Sequence, residues 1–508
     1  ERLGGLLAAS FRRVLSIART PAEMPEEEQV ADTYENYEIS GDDIKRIKSV
    51  SDGLVKEDSH KITTALSVGG SLLRSLEVQT EDTFNWTGCV GGILIADGKV
   101  SSKEVVELAR ERWICYRRFR SLIERRNRKD FLVDLGADFD ASNNVITVKE
   151  KVRTWEDLSC YCESILQKDF KSDLPPWELH LITGFDGDKS CLVGRFSHAL
   201  GDGFTWVQLL VSLTDPAPAP TVPPQQRARK TDLPLIKRLQ AGIQFLLHLV
   251  WNTPYALFVA TGASVLIEPR SPLRFDKLGP IANLRFSKPI SLAELKKVIK
   301  PLGATVNDAI VALVGGAAKR YMQEEGVEIP KLVTTAITFN TRGTSLNGPF
   351  EEAAAGNKST FLFLPTFLRG SSRERLLDAK SSVDRLKSSP IMIAAGLFLR
   401  IWTFLISIVG AALVGNVFAW TLKFFGVARH FTTTLTLTNV PGPAATILLA
   451  GKKVTAVQAF VNMWNIFTVF SYAGEVRVTY TADAQNLKAD LMMKCFDEEV
   501  EEVMKKGL

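Results

Sequence analysis

The chain has 508 residues, 45% hydrophobic and 23% charged, enough for two or more globular domains with sizeable cores. Lys and Arg exceed Asp and Glu by only five charges, which gives no reason to expect nucleic acid as a partner. Six cysteines (Cys89, Cys115, Cys160, Cys162, Cys191, Cys495) lack metal-ligand spacing and a disulfide framework, so no metal, no redox cofactor and a reducing compartment are expected.

Taken in chain order, Glu1 to Thr20 mixes Leu6, Leu7, Phe11, Val14, Leu15 and Ile17 with Arg2, Arg12, Arg13 and Arg19, which suits a basic amphipathic helix on a membrane surface rather than a cleavable signal peptide. Pro21 to Lys61 is acidic and aperiodic, and residues 1–80 are expected to form an N-terminal extension that is partly disordered. Phe84 to Ala96 predicts a strand, and Ser101 with Glu104 forms a capping box that opens a helix to Trp113. Seven basic residues between Arg117 and Lys129 suggest a solvated helix face or, as the alternative, an anion contact. A strand at Val145 to Lys151 and a helix at Trp155 to Gln167 follow. Trp177 to Thr183 and Ser190 to Phe196 then predict a strand pair around the turn Asp186-Gly187-Asp188.

Five prolines between Thr214 and Pro234 mark a linker or crossover between two halves. Beyond it, strands are expected at Ile281 to Phe286, Leu332 to Thr338, Thr360 to Leu364, Thr432 to Thr438, Val469 to Tyr472 and Glu475 to Thr481. Helices are expected at Ser291 to Ile299 and Val306 to Glu324. The pattern is a mixed α/β protein of two lobes: 81–213, then a Pro-rich and apolar segment 214–275, then 276–508. Leu239 to Ile267 and Ile401 to Thr421 are long and uncharged. The second suffices to span a bilayer, and a buried core helix is the alternative.

Chemistry concentrates in Ser197-His198-Ala199-Leu200-Gly201-Asp202-Gly203, a connection between the strand ending at Phe196 and the helix-like run Phe204 to Leu213. His198, one of only five histidines, has the side chain suited to a general base. No Gly-x-Ser-x-Gly elbow supplies a nucleophile, which favours direct attack over a covalent intermediate. Asp202 precedes a helix, so it either caps that helix or holds the loop, for instance through a buried arginine; both roles are structural. Gly201 and Gly203 fit a tight turn around it. Asn307 and Asp308 open a helix, and Asn307 is either part of that helix start or a polar group lining the reacting centre. Ser197 and Gly203 complete the candidate substrate-binding set.

Five segments in order resemble the bacterial and plant wax ester synthase/diacylglycerol acyltransferase family: Pro175-Pro176-Trp177-Glu178, the box from Ser197 to Gly203 (His-His-x-x-x-Asp-Gly in the family), Asn307-Asp308, Gly356-Asn357, and Asn439-Val440-Pro441-Gly442-Pro443. The resemblance covers about Glu81 to Val503 and implies two lobes similar to condensation domains, with a tunnel between them. It implies acyl-CoA as donor and substrate, diacylglycerol or a long-chain alcohol as acceptor, and His198 as the base. Ser197 replaces the box's usual first histidine, which leaves two other readings: a lipid- or acyl-CoA-binding relative that has lost catalysis, or an acyltransferase with an amine or carrier-bound acceptor. The expected setting is a membrane or lipid-droplet surface, at the endoplasmic reticulum in a eukaryote, with the site facing the cytosol.

Overall fold

A computed structural model describes residues 63–65, 88–126, 129–215, 273, 282–340, 356–357, 359–388 and 434–506. The N-terminal amphipathic run, almost all of the Pro-rich segment and both long uncharged stretches lie outside the described residues.

The first lobe is built from β1 (Thr63–Ala65), β2 (Cys89–Ala96), α1 (Ser102–Arg112), β3 (Ser121–Arg126), β4 (Lys129–Asp134), β5 (Val145–Thr147), α2 (Trp155–Leu166), β6 (Trp177–Phe185), β7 (Lys189–Ser197), α3 (Gly203–Ser212) and β8 (Thr214–Asp215). The second contains β9 (Ala282–Phe286), β10 (Ile290–Ser291), α4 (Leu292–Ile299), α5 (Val306–Glu324), β11 (Leu332–Asn340), β12 (Ser359–Phe367), α6 (Ser372–Ser388) and β13 (Leu435–Pro441). β14 (Leu448–Leu449), β15 (Lys452–Val461), β16 (Asn465–Tyr472), β17 (Glu475–Asp483) and α7 (Ala489–Lys506) complete the chain.

Two seven-stranded sheets result. One has the order β5-β6-β7-β2-β15-β14-β8; the other runs β10-β17-β16-β13-β11-β12, with β9 also paired to β17. The sheets do not follow chain order. β15, late in the sequence, lies antiparallel to β2 with Val461 opposite Val90, so the last quarter of the chain returns to complete the first sheet. The second sheet is mixed, because β13 is parallel to both β11 and β16. Its helices α4, α5, α6 and α7 cover one face, burying Ile310, Val314, Leu437, Phe467, Val478 and Phe496. The small residues of α5 serve close packing: a Cβ at Gly315 would lie 2.8 Å from the Phe367 carbonyl oxygen.

The first sheet is covered on both faces. Against α2 it buries Ile93, Val193, Leu158 and Ile165. On the opposite face aromatics dominate: the Phe196 and Trp206 rings stack at 3.8 Å, and Trp113 meets Trp177 edge to face at 5.3 Å. Each indole finds an acceptor, Trp177 Nε1 donating to the Phe119 carbonyl at 2.7 Å and Trp206 Nε1 to the Gly201 carbonyl at 2.9 Å.

The predicted elements recur with shifted ends. β15, α6 and α7 were not anticipated, although Ser371 with Glu374 opens α6 as a capping box and α7 buries Met492, Phe496 and Val503 at helical spacing. The expected strand at Val145 to Lys151 is only Val145–Thr147. The arginine-rich region is not a helix face: a 3-10 turn at Arg117–Arg120 leads into the β3–β4 hairpin. Arg120 holds Asp134 through two bonds of 2.8 and 3.1 Å, and Arg125 holds Asp130 through 2.9 and 3.3 Å, so these cations are neutralised across the strands. Among the described residues no single helix is long and apolar enough to cross a membrane. One bent pair, Leu292–Leu302 with Val306–Glu324, passes by length and composition, and much of the second helix is buried in the second lobe's core.

A buried polar network braces the sheet under the box. Arg195 on β7, 1% exposed, donates to Glu178 at 2.7 Å, to the backbone carbonyls of Ile165, Lys168 and Asp169, and lies 4.2 Å from the Phe170 ring centre. Glu178 also meets His180 at 3.0 Å, and the other nitrogen of His180 meets the Tyr161 hydroxyl at 2.7 Å. Burial opposes ionisation of Glu178, but the His180 hydrogen bond and the Arg195 charge outweigh it and bring its carboxyl down to about 2. Its folded pKa is depressed, so its stabilisation is complete above the ordinary carboxylate value and fades as pH falls toward 2. Glu178→Leu strands the Arg195 charge and is expected to cost about 3 kcal/mol, read from denaturant unfolding at neutral pH. An unchanged midpoint would show that the backbone carbonyls alone satisfy the guanidinium.

Candidate active site

The box sits where β7 runs out. β7 pairs with β2 as far as Ser197 opposite Cys89, and the His198 amide then donates to the Gly88 carbonyl at 2.7 Å. Ser197 is 3% exposed; its hydroxyl accepts from the Ala199 amide at 3.2 Å and its amide donates to the Pro176 carbonyl at 3.0 Å. In the first box position, then, this chain has a buried residue engaged with its own loop. Arg118 braces the loop from outside by donating to the Leu200 carbonyl at 2.9 Å.

Gly201 is demanded by close approach, since a Cβ there would lie 2.6 Å from the Thr205 methyl. Gly203 is not so constrained: an added Cβ would make ordinary contact with Val440 at 3.5 Å. That contact matters for placement, because Val440 belongs to β13 of the other lobe and packs into the first lobe's core.

Asp202, 2% exposed, fills both structural roles at once. Its Oδ1 accepts from the Thr205 amide at 3.2 Å and hydroxyl at 3.3 Å, capping α3. Its Oδ2 accepts from the Ser359 hydroxyl at 2.7 Å, on β12 of the second lobe. The single Thr205 hydroxyl proton is shared between Asp202 Oδ1 and the Gly356 carbonyl, 3.2 Å away, and the Gly356 amide donates back to that hydroxyl at 3.3 Å. Ser359 and the Thr205–Gly356 pair therefore hold the loop through Asp202.

The clamp delivers Asn357 to His198. The imidazole Nδ1 lies 2.8 Å from Asn357 Oδ1, and Asn357 Nδ2 donates to the His198 carbonyl at 2.8 Å. His198 is partly buried, and burial lowers its pKa; Asp202, its own backbone and Asn357 pull the other way without reversing the direction. The ring is accordingly neutral at neutral pH. Sequence reasoning missed the role of Asn357. The only signal was Gly356-Asn357 as a matching segment, with nothing to say that 159 residues separate contacting partners.

Asn307 lies in the first turn of α5. Thr305 and Asp308 form the capping box of α5, with Asp308 Oδ2 accepting from the Thr305 amide at 2.8 Å, so Asn307 is free of the cap. Its Oδ1 instead accepts from Asn439 at 3.4 Å. Asn439 precedes Val440, so the Asn-Val-Pro-Gly-Pro turn lies between the box and the start of α5. The turn itself is tight: a Cβ at Gly442 would fall 2.4 Å from the Phe470 ring. Among the described residues no group of three or more His, Cys, Asp or Glu could hold a metal.

An imidazole held neutral beside a junction of two lobes, with one ring nitrogen engaged by protein, is equipped to take and return a proton. Comparison with known proteins places this geometry. The family model "Wax ester synthase/diacylglycerol acyltransferase catalytic domain" matches residues 154–310, which contain His198, Asp202 and Asn307. The "WS/DGAT C-terminal domain" matches residues 355–504, which contain Asn357, Ser359 and Asn439. The chain is 25% identical over 350 residues to wax ester synthase/diacylglycerol acyltransferase 10 of Arabidopsis thaliana, covering 61% of this chain and 69% of that protein. The solved wax ester synthase/diacylglycerol acyltransferase of Marinobacter aquaeolei VT8 superposes with a TM-score of 0.58 at 16% identity, over 88% of this chain and 100% of that one. The first condensation domain of the CDA synthetase gives 0.55 at 10% identity, over 87% and 95%. At such identities the structures establish the two-lobed fold alone.

Asp202→Ala removes the cap and leaves the Ser359 hydroxyl without its acceptor, with an expected loss of about 1 to 2 kcal/mol. Hydrogen exchange should quicken together at residues 203–206 and at 356–359. Faster exchange on one side only would mean that Asp202 does not tie the lobes.

Proposed function

Because the chain belongs to the wax ester synthase/diacylglycerol acyltransferase family, we propose that it moves a fatty acyl group from acyl-CoA to diacylglycerol, a long-chain alcohol, or both. The observation that carries this reading is a partly buried His198 held by Asn357 at the lobe junction, inside the segment that matches the family's catalytic domain.

In the proposed reaction the acceptor hydroxyl gives its proton to the free imidazole nitrogen as its oxygen attacks the thioester carbonyl. The carbonyl π pair moves to oxygen; when it returns, the carbon–sulfur bond breaks, and the coenzyme A thiolate takes the proton back from the imidazolium. Atoms and charge balance without a covalent acyl-enzyme, metal or cofactor. Asn307 is proposed as a polar group near the developing oxyanion, with Asn439 orienting its amide. Ser197 and Gly203 help shape the acceptor side, and Asp202 acts only by holding the loop. The uncharged run from Ile401 to Thr421 supports work at a membrane or lipid-droplet surface, with the endoplasmic reticulum as the proposed eukaryotic setting. Carbonate extraction tests that attachment, since full release would count against a spanning segment.

The decisive assay offers labelled acyl-CoA with diacylglycerol, fatty alcohol and an amine in parallel, and separates products by thin-layer chromatography. Neutral lipid from either alcohol supports the reading; amide as the main product, or acyl-CoA binding without any transfer, sinks it. His198→Ala should lower ester formation at least about a hundredfold while circular dichroism is unchanged.

Because the base must be unprotonated and burial depresses its pKa, the acid limb of kcat/KM should fall below the ordinary imidazole value of about 6.5. Lower pH protonates the ring and activity is lost; higher pH leaves this group unchanged. A limb above that value would contradict the environment described for His198.

A further inference from the structure

We propose that Asn357 is the positioning residue of His198: from the opposite lobe it fixes the imidazole as the Nδ1–H tautomer, which leaves the Nε2 lone pair as the base. The inference rests on the reading of His198 as a general base, but the tautomer itself does not. It follows from donor and acceptor inventory. The His198 carbonyl can only accept, so the Asn357 group 2.8 Å from it must be the amide nitrogen. The other end of the same side chain, 2.8 Å from Nδ1, is then the carbonyl oxygen, also an acceptor only. Two acceptors do not bond, so Nδ1 carries the hydrogen and donates it.

The reciprocal pair therefore fixes amide orientation, ring orientation and tautomer together. Reversing the amide would set oxygen against the His198 carbonyl, and moving the ring proton to Nε2 would set a lone pair against Asn357 Oδ1. Either change leaves acceptors facing each other in a partly buried site, a cost that holds the arrangement.

Asn357 can do this because its neighbours are anchored to the same loop. Gly356 exchanges bonds with Thr205, and Ser359 donates to Asp202, so the residues on both sides of Asn357 are tied to the start of α3. Asn357 thereby completes a base whose imidazole comes from the first lobe and whose orienting amide comes from the second. Separation of the lobes would free the ring. The charge that acts on His198 is Asp202, whose carboxylate is turned to Thr205 and Ser359.

The test is the nitrogen spectrum of the full-length chain labelled with 15N-histidine, with His198 identified by its loss in His198→Gln. A protonated Nδ1 and a bare Nε2 at neutral pH are expected; a protonated Nε2 in the parent protein overturns the proposal, and His198→Gln, which serves only to assign the signal, must leave the other histidine signals in place. Kinetics supply the second arm. Asn357→Leu should lower kcat about a hundredfold with KM for acyl-CoA changed less than about threefold, the signature of a misplaced rather than an unbound reactant. Asn357→Asp keeps an acceptor for Nδ1–H but gives up the donor to the His198 carbonyl, so it should be at least about tenfold more active than Asn357→Leu while short of the parent, and should move the acid limb of kcat/KM to higher pH, because a carboxylate favours the imidazolium.

If both variants lose activity equally, in step with thermal stability and with the acid limb unmoved, Asn357 is only a structural link and the proposal fails. Full activity in His198→Ala would instead refute the base, while the spectrum still decides the tautomer.

Discussion

A single carboxylate, Asp202, lets two lobes share one site. One of its oxygens caps α3, and the other holds Ser359 at the start of β12, so the helix that follows the box and the strand that leads away from Asn357 cannot move independently. A buried carboxylate with three hydrogen-bond donors is well placed for this, since each bond offsets part of the cost of removing its charge from water. The clamp explains why a residue so close to His198 need not exchange protons with substrate. Its work is to keep two sequence-distant segments within bonding distance.

The aromatic layer beneath the box gives that clamp a rigid floor. Trp206, one turn into α3, stacks on Phe196 just before the box and donates to Gly201 inside it. The loop is thus gripped from below by packing and from the side by hydrogen bonds. Beneath β7, Arg195 and Glu178 spend their charges on each other and on backbone carbonyls, which assigns the Pro-Pro-Trp-Glu segment a structural task. Trp177 belongs to the aromatic layer, Glu178 to the network on the opposite face of the same sheet, as strand alternation requires.

Family membership and fold bear differently on function. The matching segments place the chain among wax ester synthase/diacylglycerol acyltransferases, and the two-lobed likeness extends to condensation domains that share little sequence. A fold this permissive does not choose an acceptor; pocket lining does. Ser197, where the resemblance leads one to expect a histidine, is buried and bonded to Ala199, which makes it part of the loop's own architecture in this chain.

Much of the local structure was legible because it rests on short-range physics. The capping box at Ser101, the strand pair around Asp186 to Asp188 and the small-residue helix α5 all follow from neighbours within a few positions. His198 could be singled out in the same way. The arginine-rich region misled because a run of like charges is visible in sequence, whereas the pairing of Arg120 with Asp134 and of Arg125 with Asp130 depends on the fold. The insertion of β15 beside β2, the meeting of Asn307 with Asn439 and the grip of Asn357 on His198 join residues more than a hundred positions apart. Sequence alone determined which side chain could act as a base and which family pattern surrounds it, since both are properties of residue type and spacing. Only the tertiary structure decided which ring nitrogen is engaged and which lobe engages it, because a hydrogen bond needs two groups within about 3 Å and only the closed fold brings these two together.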